Sequence, residues 1–267
     1  METLALRVVL PSLTVLLAGW VQQRLGPRHS GRLIGLPLTS GPFLAVLLLI
    51  EGPQLTVTAA RGVAMGQLMV VAFAATYAVL TVARWRPTSA LLGGTSAVAV
   101  LGAAVHAWLP WHAALVVPIV AALVLIVWRP EPQQQSAAQA RTSPAGGAAA
   151  VRGLLARGAL TGGLVGALSL AAPLLGASLA GLLASIPLVV AVLAPSAHAR
   201  TGAVTARTLL RGTLAVVPGT TAFALVVATV LPVCEPVVAF GLALAALATL
   251  NWLIGAADGA AQRLRMP

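Results

Sequence analysis

The stretch TAARGVAMGQLMVVAFAATYAVLTVA, residues 58–83, carries one charged side chain, Arg61, in 26 positions. A helix rises 1.5 Å per residue and needs ~20 apolar residues to cross the ~30 Å hydrocarbon core of a bilayer. This run is long enough. A second run, ARTLLRGTLAVVPGTTAFALVVATVL at residues 206–231, shares its landmarks at an offset of 150 residues. Arg61-Gly62 meets Arg211-Gly212, and Ala72-Phe73-Ala74 meets Ala222-Phe223-Ala224.

The same ruler applied to the rest of the chain gives about nine spans, at 4–21, 33–50, 58–83, 88–109, 111–128, 154–175, 177–195, 206–231 and 236–257. Composition agrees. Of 267 residues, 59% are hydrophobic and 8% charged, with a mean hydropathy of +0.99. A soluble domain carries about 25% charge. The chain therefore reads as an all-α polytopic membrane protein, with the lipid bilayer as its first partner. Secreted globular, disordered and nucleic-acid-binding classes are excluded, because the +11 charge lies between the apolar runs, where it reports topology. The first run lacks a small-x-small cleavage site and carries Glu2 and Arg7, so it reads as a span and not a signal peptide. Cys234 is the single cysteine, which excludes an internal disulfide and a cysteine metal cluster. Every basic residue counted in Lys+Arg is Arg, a bias that suits a GC-rich bacterial genome and so a bacterial cytoplasmic membrane.

Arginines orient the spans. With the N-terminus outside, the inner loops hold Arg24, Arg28 and Arg32, then Arg84 and Arg86, then Arg129, Arg141 and Arg152, then Arg200, Arg207 and Arg211, and the tail Arg263 and Arg265. The outer loops hold Arg61 or none. N-out and C-in is the expected topology. The segment 129–150, opening Pro130-Glu131-Pro132, is the extended polar linker.

The offset of 150 also pairs Arg7 with Arg157, Leu25-Gly26 with Leu175-Gly176, Gly31 with Gly181, Pro37-Leu38 with Pro187-Leu188 and Gly52 with Gly202. A four-helix unit in 1–110 then recurs in 151–267, joined by the fifth span and linker in 111–150. Five crossings precede the second copy, an odd number, so the two units are expected to be inverted. The arginines follow the membrane side and not the homologous loop, as inverted-topology repeats require. Spans two and seven carry Gly35-Leu36-Pro37 with Gly41-Pro42, and Ser185-Ile186-Pro187 with Pro195. Proline removes a backbone donor and breaks the helix. Gly/Pro-interrupted spans at matching places point to a transporter's binding site, while a kink that only aids packing gives the same pattern.

Leu179-Ala180-Gly181-Leu182-Leu183, Pro187, Arg200-Thr201-Gly202, Leu210-Arg211 and Pro218 together resemble the GlpM-type family of small four-helix bacterial inner-membrane proteins. Leu33-Ile34-Gly35-Leu36-Pro37, Glu51-Gly52 and Arg61 form a weaker version. The resemblance covers 31–83 and 181–231 and implies two four-helix membrane units fused head to tail. Glu51-Gly52-Pro53 stands where the second copy has Arg200-Thr201-Gly202, so the loop chemistry has diverged. No functional residue is carried over.

Candidate substrate-binding residues are the repeat-related pairs Arg7/Arg157, Arg61/Arg211 and Pro37/Pro187, together with Asn251. A mid-bilayer Arg costs ~2.5–3.5 kcal/mol on insertion scales, and its guanidinium fork matches phosphate or carboxylate oxygens. Near a span end the same side chain snorkels to the headgroups. Asn251 either binds substrate or hydrogen-bonds a neighbouring helix. Glu51 and Glu235 fit solvated span ends. His106 and His112 lack a third ligand, so no metal is expected. Trp20, Trp85, Trp108, Trp111 and Trp128 read as interfacial anchors. No enzyme or nucleotide motif is present, and no cofactor is expected. The expected function is a secondary carrier for a small anionic or lipid-linked substrate. The alternative is a non-transporting subunit that stabilises a membrane-protein partner.

Overall fold

A computed structural model describes residues 40–127, 163, 166–168, 170–186 and 188–263. Eight helices are labelled here in chain order, and no strand occurs among the described residues. Helix α1 (Ser40–Glu51) ends at Gly52, whose φ of 86° suits only glycine, and α2 (Pro53–Val82) begins at once. Pro53 sits at the first helical position, where its missing N–H has no partner to lose. Pro87 opens α3 (Pro87–Trp108) in the same way. A 3-10 segment, Trp111–Val116, leads into α4 (Val117–Val127). The tight winding has a local cause. Pro118 lacks the N–H that would bond the Ala114 carbonyl in an α-helix, and Val117 N–H takes that carbonyl instead. Then follow α5 (Ala177–Ala184), α6 (Leu188–Thr201), α7 (Ala203–Val230) and α8 (Pro236–Arg263).

Four of these, α2, α3, α7 and α8, are long and apolar enough to cross a membrane. They match expected spans three, four, eight and nine. The first expected span, the opening 33–39 of the second with Pro37, and most of the sixth lie outside the described residues. The seventh is two helices, α5 and α6, separated at Ser185–Ile186. The fifth is the 3-10 segment with α4. The architecture is thus all-helical and compatible with a membrane protein.

The offset of 150 residues recurs in the helix boundaries. Gly52 and Gly202 both take positive φ, at 86° and 94°, and each is followed directly by a long helix. Phe73 and Phe223 are both buried. Over 71–82 and 221–232 the sequence of buried, half-buried and exposed positions is the same throughout.

Helices α2 and α7 form the centre. Two thirds of the apolar stretch of each is buried, against 22% for α3 and 17% for α8. Small residues set the spacing. Gly62 and Gly66 face α5, and a Cβ on Gly62 would collide with the Ser178 carbonyl. Reciprocally, a Cβ on Gly181 would collide with the Ala59 carbonyl. Without a hydrophobic force between helices in lipid, such close backbone approach is a main source of association. The flanking helices pack by size exchange. Gly94 and Gly102 of α3 receive Phe73 and Met69 of α2, whereas Gly219 of α7 receives Asn251 of α8. Phe223 and Phe240 meet edge to face with centroids 6.1 Å apart.

Candidate functional site

Arg61 is the ninth residue of α2 and Arg211 the ninth of α7. Both lie more than two turns inside their helices, deeper than the span-end position expected from hydropathy. The reason is local: the helices start at Pro53 and Ala203, before the apolar runs do, because the preceding glycine breaks the chain and proline or alanine can begin a new turn. Each arginine reaches the same segment. The Arg61 guanidinium carbon lies 4.8 Å from the centroid of the Trp111 ring. Arg211 Nη1 donates to the Leu125 carbonyl at 2.8 Å. Trp111 and Leu125 stand toward opposite ends of the 3-10/α4 segment, about 24 Å apart at roughly 2.0 and 1.5 Å per residue.

That separation orders the bundle. The N-terminal third of α2 lies at the Trp111 end, and the N-terminal third of α7 at the Leu125 end. Other contacts sort the same way. Gly62 meets Ser178 just after Gly176, while Tyr77, near the end of α2, meets His198, near the end of α6. Gly52, Trp111 and Gly176 therefore share one end of the bundle, and the 83–86 turn, Leu125 and Gly202 share the other.

The environments of the paired arginines differ. Arg61 is half-buried, and its Nε is buried with no hydrogen-bond partner among the described residues. Its guanidinium carbon lies over an aromatic ring. Arg211 is anchored to a backbone carbonyl. Arg7, Arg157, Pro37 and Pro187 lie outside the described residues.

Midway along α2 the apolar packing is interrupted. Gln67 is buried, and its Oε1 accepts from Thr220 Oγ1 of α7 at 3.2 Å. One turn away, Ser185 at the α5–α6 break donates to the Val63 carbonyl at 3.0 Å, and a Cβ on Gly66 would press on it. The interrupted seventh span therefore has its break against the middle of α2, next to the Gln67–Thr220 bond. Toward the Gly202 end, Tyr77 Oη and His198 Nδ1 are 3.3 Å apart with their rings edge to face. Sequence reasoning missed Gln67, Thr220, Tyr77 and His198. A glutamine inside a 26-residue apolar run was the available signal.

Asn251 is half-buried on α8, and its Oδ1 is buried without a hydrogen-bond partner among the described residues, lying against Gly219. His106, His112, Glu235 and Cys234 are exposed. Among the described residues no three His, Cys, Asp or Glu side chains gather as a metal site would require. Trp85 and Trp108 are exposed as interfacial anchors would be, whereas Trp111 is half-buried under Arg61.

No family model matches the sequence, and neither a curated protein nor a solved structure is significantly similar to it.

Proposed function

We propose that the chain is a membrane carrier built from two inverted four-helix units, with about nine crossings, that moves a small anionic or lipid-linked substrate without chemical change. The observation that carries this reading is the placement of Arg61 and Arg211. Residues related by the 150-residue offset grip opposite ends of one segment, as an inversion about an axis in the membrane plane requires. In this reading the fifth span, which has no counterpart in either unit, crosses that axis, and its contacts with both arginines support this. The break between α5 and α6 beside Gln67 and Thr220 supplies the other feature of such carriers, a discontinuous helix with polar groups near mid-membrane. The reading places the protein in a bacterial cytoplasmic membrane with its N-terminus outside, and makes each half similar to a GlpM-type unit.

The test is uptake by proteoliposomes of a panel of labelled anionic metabolites and anionic lipids. Saturable uptake that Arg61→Ala and Arg211→Ala each reduce, with protein incorporation unchanged, supports the carrier. No uptake of any member by a well-folded wild type contradicts it.

One observation favours a second reading, a non-transporting subunit. Helices α3 and α8 leave most of their apolar surface outside the bundle, where a partner helix could pack as well as lipid. A partner that co-purifies in fixed stoichiometry and is lost when α8 surface residues such as Val237 and Leu244 are changed to Ser supports it. A lone, monodisperse protein contradicts it.

A further inference from the structure

We propose that Arg61, held by Trp111, is a binding site for a phosphate-type oxyanion at the Gly52 end of the bundle, and that Arg211 is the structural member of the pair. This deepens the carrier reading and rests on it for the class of ligand. The two arginines are related by the repeat, yet their donors are used differently. Arg211 is tied to the chain through the Leu125 carbonyl at 2.8 Å. Arg61 meets the chain through its guanidinium, whose carbon lies 4.8 Å from the centroid of the Trp111 ring. A ring face offers no lone pair, so this contact gives the guanidinium no conventional hydrogen-bond acceptor. The buried Nε has no acceptor among the described residues.

A buried donor left unmade costs about 1–3 kcal/mol, more when the group is charged. Nε and the neighbouring Nη form an edge that accepts two oxygens of one anion side by side. The Trp111 ring holds the guanidinium carbon in place, so the charge is localised before a ligand arrives.

Depth selects the anion. Arg61 lies about 12 Å from the start of α2 at 1.5 Å per residue, near the boundary between hydrocarbon and headgroups. The common oxyanion at that level is a phosphate, either a lipid headgroup or a soluble phosphate entering from the aqueous side. Both present the same pair of oxygens.

Trp111 is the reporter. The chain has six Trp, and the difference between wild-type and Trp111→Phe emission isolates Trp111. Intact protein in a neutral detergent is titrated with inorganic phosphate. The same protein in nanodiscs of a phosphate-free galactolipid is compared with protein in discs that also contain phosphatidylglycerol. A saturable change in the Trp111 signal with phosphate names a soluble ligand. A change with phosphatidylglycerol alone names a headgroup.

Arg61→Gln abolishes the response, and Arg61→Lys, which keeps the charge and loses the fork, weakens it by about tenfold or more. Arg86→Gln, an exposed arginine at the opposite end, leaves it intact. Helicity and monodisperse elution confirm each variant's fold, and Arg61→Lys carries the test if Arg61→Gln does not fold. No Trp111 response in any arm, or a response unchanged in both Arg61 variants, overturns the site. A Trp111 response in a protein that transports nothing keeps the site and removes the carrier. Transport with a silent Trp111 does the reverse.

Discussion

Gly62 and Gly181 hold two helix backbones in contact, since a Cβ on either would enter a carbonyl of the other helix. Gly241 on α8 faces open space and is the matched control. Gly62→Ala is expected to lower stability by about 1–3 kcal/mol, the usual cost of overpacking, while Gly241→Ala leaves it unchanged or slightly raised. Thermal unfolding followed by loss of monodisperse protein measures both, and equal midpoints would contradict the packing described. Asn251 poses the opposite case. Its Oδ1 is buried and unpartnered, so Asn251→Leu, similar in volume, removes an unmet acceptor and is expected to hold or raise the unfolding midpoint. A clear drop would mean that the oxygen has a partner supplied from outside the described chain. The asparagine was legible in the sequence as a polar residue in an apolar span. Its lack of a partner was not, because that depends on Gly219 of a different helix.

Elements begin and end here at glycine and proline. Gly52 and Gly202 combine positive φ with extended ψ, a region that side-chain-bearing residues avoid, and nothing lies within 4 Å of where a Cβ would sit. Gly52→Ala and Gly202→Ala therefore probe backbone strain alone. Each is expected to cost about 1–3 kcal/mol, and the two costs should be similar if the positions correspond as the carrier proposal holds. Unfolding midpoints of the two variants against wild type check this, and a large inequality would weaken the correspondence between the halves. Hydropathy located α2, α3, α7 and α8 to within a few residues, because in long apolar runs nothing else competes with the helix. It placed Arg61 and Arg211 too near the ends, since a polar first turn after Gly52 or Gly202 does not register as apolar. The winding of the fifth span depends on Pro118, and the break in the seventh lies beside Pro187. The prolines of the seventh span flagged that region without fixing the outcome, and Pro118 of the fifth was not singled out. The partner of Arg61 was illegible, because Trp111 comes to it through tertiary packing.

Among the described residues, two central helices pair, a peripheral helix flanks each, and the 3-10/α4 segment runs past both. The 150-residue offset suggested the proposed inversion, and among the described residues Gly52 and Gly202 and the burial patterns of 71–82 and 221–232 correspond at that offset. The carrier proposal is directional: it has α2 and α7 enter the membrane from opposite faces. Membrane-impermeant maleimide added to intact cells measures that directly. Cys234 is exposed in the turn after α7, and serves as the native marker for the Gly52 end. In a Cys234→Ser background, Gln54→Cys marks the start of α2, Val204→Cys the start of α7 and Thr88→Cys the start of α3, all at exposed positions. Cys234 and Gln54→Cys are expected to label from outside, whereas Val204→Cys and Thr88→Cys label only after permeabilisation. Labelling of Gln54→Cys and Val204→Cys from the same side would contradict the account.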